Sequence, residues 1–119
     1  MWVMLNDSFL SIVKHRTKRN VLLVRARQRE DIALVFPDAR IIADGGTDYE
    51  YRAEIKRRAV EAAMVGEVRR IDYGNFKDSV PDRRRHDIYL TVWSTLMRLG
   101  RGRTTWSANP WEARAIDNA

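Results

Sequence analysis

Tyr49-Glu50-Tyr51-Arg52-Ala53-Glu54-Ile55-Lys56 alternates without a break. Tyr49, Tyr51, Ala53 and Ile55 share one face; Glu50, Arg52, Glu54 and Lys56 share the other, the period of a half-buried β-strand. Upstream, Val21-Leu22-Leu23-Val24-Arg25-Ala26-Arg27 repeats the pattern. Leu22, Val24 and Ala26 fall on one side, Arg25 and Arg27 on the other with Val21 and Leu23. Phe9 to His15 is β-rich and ends in the basic turn Lys14–Asn20, so the two runs predict an antiparallel hairpin. A face carrying two arginines is not packed under a helix, which predicts a half-solvated sheet.

The remaining elements follow from that sheet. Met1-Trp2-Val3-Met4-Leu5 reads as the first strand of the fold. A short helix is expected from Asp31 to Phe36, with acids in its first turn and Pro37 as its stop. Arg40 to Ala43 reads as a short strand, and Asp44 to Asp48 as a turn. Arg57 to Arg70 reads as a helix with a stripe of Val60, Met64, Val68 and Ile71, beside small residues (Ala59, Ala62, Ala63, Gly66) that suit close approach to a sheet. A last helix is expected from Pro81 to Leu99, ended by Gly100. The order β-β-α-β-β-α-α predicts an α+β fold: a two-layer sandwich of a four-stranded antiparallel sheet with helices on one face. Residues 1–99 are expected to form a single domain. The tail, 100–119, lacks periodicity and is expected to be extended or partly disordered.

Length and composition bound the function. The 119 residues suit one domain, and 45% apolar content is globular. With no cysteine and two histidines, thiol chemistry is excluded, and neither a metal site nor a cofactor site is expected. The N-terminal run is too short and too polar for a signal peptide or membrane span, so the expected location is cytoplasmic. A net charge of +6 points to polyanionic partners, either nucleic acid or an acidic protein surface.

Four surfaces stand out. Lys14, Arg16, Lys18, Arg19, Arg25 and Arg27, with Arg52 as a candidate addition, form a basic hairpin and sheet face. Seven of the 22 Lys and Arg residues lie between Lys14 and Arg29, the density that phosphate contacts require. That face is expected to lack an aromatic stacking pair, which argues against RNA reading of the kind seen on aromatic sheet faces. Arg83, Arg84 and Arg85 form a second polyanion candidate in a helix's first turn, where cations oppose the macrodipole unless Asp82, Asp87 or an anionic partner offsets them. His86, Tyr89 and Trp93 fall on one side of that helix. A set of this kind, with an arginine, suits metal-independent RNA cleavage, although no second base is identifiable. The helix also carries two apolar stripes, Ile88-Val92-Leu96-Leu99 and Leu90-Trp93-Met97. Leu90 and Met97 are therefore partner-binding candidates together with the tail residues Trp106 and Trp111, and a homodimer through this helix is one outcome. Tyr73 and Phe76 are expected to pin the connection between the last two helices to the core.

Met1 to Val13, Asp48 to Ala53, Ile71-Asp-Tyr-Gly-Asn-Phe-Lys-Asp-Ser-Val80 and Arg85-His-Asp-Ile-Tyr-Leu-Thr-Val-Trp93 together resemble a family of short, functionally uncharacterised bacterial proteins. The resemblance implies a complete small domain with an appended tail. The basic segments Lys14–Arg19 and Arg101–Arg103 lie outside it.

These features together lead to the expectation of a small, basic, non-enzymatic module engaging nucleic acid or a protein that handles it. One alternative is an inhibitor, encoded by a phage or mobile element, of a nucleic-acid-guided defence complex. The other is a small ribonuclease.

Overall fold

A computed structural model describes residues 1–101 of the chain. The fold is α+β, built on a five-stranded antiparallel sheet. Its strands are β1 (Trp2–Met4), β2 (Phe9–Lys14), β3 (Val21–Ala26), β4 (Ile42–Ala43) and β5 (Tyr51–Lys56), in the order β1-β2-β3-β5-β4. The expected sheet of four is corrected to five, because the N-terminal run read as the first strand joins the same sheet. Trp2–Met4 is a strand of its own, paired with Phe9–Ser11 of β2. The β2–β3 hairpin is as expected, with Ser11 opposite Arg25 and Lys14 opposite Leu22.

Two units divide the chain, Met1–Ser79 and the part from Val80 onward. The first holds the sheet with α1 (Arg29–Val35) and α2 (Arg57–Arg69). Its core joins Leu10 and Ile12 of β2, Val24 and Ala26 of β3, and Ala53 and Ile55 of β5 to Ile32, Phe36 and Val60. The inward strand residues are those the alternation selects, and both helices pack on that one face. Burying the Leu, Ile, Val and Phe side chains among these stabilises the fold by roughly 1.5–3 kcal/mol each. Asp31 is buried in the first turn of α1, where its carboxylate accepts the Phe9 N–H at 3.0 Å and ties helix to sheet. A 3₁₀ turn, Lys77–Ser79, closes the unit. Tyr73 and Phe76 before it are half-buried and pack edge to face at 5.8 Å, rather than joining the core cluster.

Three expectations fail for local reasons. β5 begins at Tyr51, and Tyr49 leaves the alternation. The Thr47 hydroxyl donates to the Tyr49 carbonyl at 2.6 Å, which turns that carbonyl into its own loop and away from a ladder. In α2, Val60 is buried and Ala63 and Met64 pack on the core. Val68 and Ile71 are exposed, so the apolar stripe meets the sheet only along the first two turns. Gly66 has open space where a side chain would stand, so its smallness serves no close approach, and Ala59 and Ala62 are exposed.

In the second unit, α3 runs Arg83–Leu96, and a short α4 spans Arg98–Arg101. The helix starts after Asp82, whose side chain accepts the Arg85 N–H at 2.8 Å, and Pro81 lies outside it. Gly100 sits within α4 instead of ending the long helix. The covered side of α3 carries Arg85, Tyr89 and Val92, while Ile88, Leu90, Trp93, Leu96 and Leu99 are exposed. Neither expected apolar stripe is the covered one. Among the described residues, no helix is long and apolar enough to cross a membrane.

Candidate nucleic-acid interface

The β2–β3 turn is organised by a histidine. His15 Nδ1 accepts the backbone N–H groups of Thr17 (3.1 Å) and Lys18 (3.0 Å), which leaves Nε2 to carry the proton and donate it to Glu54 at 2.8 Å. Asn20 takes φ 56°, a left-handed conformation that asparagine tolerates, and its carbonyl accepts the N–H of Arg57 at 2.8 Å. The turn is thereby locked to β5 and to the start of α2. It encloses an open pocket of about 330 Å³, lined by the residues from Lys14 to Val21 and by Arg57.

Charge in this pocket is unbalanced. Among the described residues, the acid paired with the turn is Glu54, which is committed to Lys18 (2.6 Å) and His15. Those hydrogen bonds, Lys18 first and then His15, hold the Glu54 carboxyl below its ordinary range. Among the described residues, Lys14, Arg16, Arg19 and Arg57 make no ion pair, and all four are exposed. The structure therefore brings together four of the expected polyanion-binding residues, Lys14, Arg16, Lys18 and Arg19. It adds Arg57, which sequence reading had assigned only to a helix.

Arg25 and Arg27 stand elsewhere, on the sheet face opposite the core. Arg25 is half-buried: its guanidinium donates to Ser11 Oγ at 2.7 Å and lies 4.7 Å from the centre of the Tyr49 ring. The Arg27 guanidinium lies over the same ring at 4.5 Å. Arg52 is directly opposite Arg25 on β5 and donates to Thr47 Oγ1 at 3.1 Å. The register extends this row to Trp2 through Ser11. Trp2 is 75% exposed and meets Phe9 edge to face at 6.0 Å. No stacking pair was expected on this face; β1 contributes Trp2 and β2 contributes Phe9 to the side that carries the arginines, and the two rings meet edge to face.

The second unit keeps Arg83, Arg84 and Arg85 apart in role. Arg83 approaches Asp87 at 3.9 Å, Arg84 is exposed, and Arg85 donates to the Tyr89 hydroxyl at 3.1 Å. The Asp82 cap offsets part of the dipole conflict. His86 Nδ1 lies 3.4 Å from an Asp87 carboxylate oxygen. Leu90 is exposed and Met97 half-buried at the end of α3, whereas Trp106 and Trp111 lie outside the described residues. No group of three His, Cys, Asp or Glu side chains is placed to hold a metal among the described residues.

No protein-family model, curated protein or solved structure matches the chain. The resemblance drawn above rests on its own residues alone.

Proposed function

We propose that the chain is a nucleic-acid-binding module that engages phosphates through the β2–β3 turn. The supporting observation is the pocket lined by Lys14, Arg16, Arg19 and Arg57, none of which is in an ion pair among the described residues, on a turn held in shape by His15 and Glu54. Cations gathered on one turn whose backbone is tied down are set to neutralise adjacent phosphates, and guanidinium groups match phosphate oxygens two at a time. The turn supplies charge and no base-edge reader, so the expected binding is indifferent to sequence.

Fluorescence anisotropy of labelled oligonucleotides tests the reading. Wild-type protein binds at low salt, and the Arg16→Ala/Arg19→Ala double variant binds at least about tenfold more weakly, about 1.4 kcal/mol. Equal binding by both proteins would remove the turn from the account.

A further inference from the structure

We infer that the sheet face opposite the core is a second contact, which takes single-stranded nucleic acid with a base stacked on Trp2 and a phosphate held by Arg25 and Arg52. This rests on the nucleic-acid reading above and specifies which strand form the module takes.

Arg25 and Arg52 are nearest neighbours on adjacent antiparallel strands, and both are half-buried. Among the described residues neither has a carboxylate partner, and the Nε atom of each is buried without a hydrogen-bond acceptor. Two like charges directly opposite each other destabilise a sheet, and burial reduces the screening that water would provide. An anion seated across both guanidinium groups removes that cost. The hydroxyls of Ser11 and Thr47 and the ring of Tyr49 already hold the side chains in place, so little ordering remains to be done on binding.

The aromatic half of the site is Trp2. It belongs to the same cross-strand row, two strands from Arg25 and three from Arg52, or roughly 10 and 14 Å at ordinary strand spacing. Trp2 is 75% exposed and its contact with Phe9 is edge to face rather than stacked, which leaves indole surface for a base among the described residues. Alternating stacking and phosphate contacts across a sheet select single strands, whose bases can unstack, over duplexes, whose bases are paired. Charge alone would equally suit an acidic peptide. A 75% exposed tryptophan in register with the arginines favours a ligand with flat aromatic rings.

The test compares a single-stranded oligonucleotide, the corresponding duplex and a glutamate-rich peptide of matched charge, using wild type, Trp2→Ala, Arg52→Ala, Arg52→Lys and Arg16→Ala/Arg19→Ala. Circular dichroism first establishes that each variant is folded. Trp2→Ala and Arg52→Ala are expected to weaken single-strand binding about tenfold and to leave duplex binding, which runs through the turn, within about twofold. Arg52→Lys recovers only part of the loss, since an ammonium lacks the guanidinium fork. Single-strand binding that is intact in Trp2→Ala and Arg52→Ala but lost in the turn variant overturns this inference and leaves the module reading in place. Absence of any oligonucleotide binding overturns both. Peptide binding that depends on Trp2 and Arg52 as strongly as oligonucleotide binding does would overturn the assignment of the ligand.

Discussion

Arg25 and Arg52 stand opposite each other on β3 and β5, half-buried, and among the described residues no carboxylate answers either of them. A double-mutant cycle with Arg25→Gln and Arg52→Gln, read by urea denaturation, should therefore show unfavourable coupling of about 0.2–1 kcal/mol. Adding a saturating single-stranded oligonucleotide should abolish it. Favourable coupling in the free protein would mean that the pair is already neutralised.

Tyr49 supports both Arg25 and Arg27 with its ring. Tyr49→Phe keeps the ring and should change stability by less than about 0.5 kcal/mol. Tyr49→Leu keeps much of the bulk but removes both cation–π contacts and should cost about 1–2 kcal/mol. Equal losses in the two variants would show that the hydroxyl matters more than the ring.

Asp31 is a structural anchor between α1 and the sheet. It is buried and accepts the Phe9 N–H, so Asp31→Ala leaves that donor unsatisfied and should cost about 2 kcal/mol by chemical denaturation. Oligonucleotide affinity of the folded fraction should not change.

Glu54 sets the charge of the turn. Its carboxyl is held below its ordinary range by Lys18 and His15, so its contribution to stability is present above the unfolded-state pKa. That contribution is lost as pH falls through the depressed folded-state value. The signature is loosening of the turn on acidification below the normal glutamate range, visible in amide exchange of Thr17 and Lys18. At neutral pH, Glu54→Gln frees Lys18 and should strengthen nucleic-acid binding, steepening the logarithmic salt dependence by up to about 1. Weaker binding in that variant would mean that the locked shape of the turn outweighs its charge.

Much of the fold was legible because periodicity is local. The alternation in Val21–Arg27 and Tyr51–Lys56 selected the inward residues, and the basic turn announced itself by composition. What stayed hidden is set by register and loop geometry. That Trp2, Ser11, Arg25 and Arg52 form one row depends on the register of three pairings, the last of which joins β3 to a β5 distant in sequence. Tyr49 looked like the next inward residue of a strand until the Thr47 hydrogen bond bent the chain before it. Arg57 reaches the turn because Lys56 pairs with Val21 and the Arg57 N–H then bonds to the Asn20 carbonyl. The apolar stripes of α3 misled for a different reason: the covered side is organised by Arg85 and Tyr89, a polar pair that hydropathy does not rank as inward.

Salt titration of duplex binding tests the central claim most directly, because it counts the cations that meet phosphate. Four cations at the turn, unpaired among the described residues, predict a slope of log K against log salt of about −3 to −4, falling by nearly 2 in Arg16→Ala/Arg19→Ala. A slope near zero, or one that the double variant leaves unchanged, would contradict phosphate binding at the β2–β3 turn.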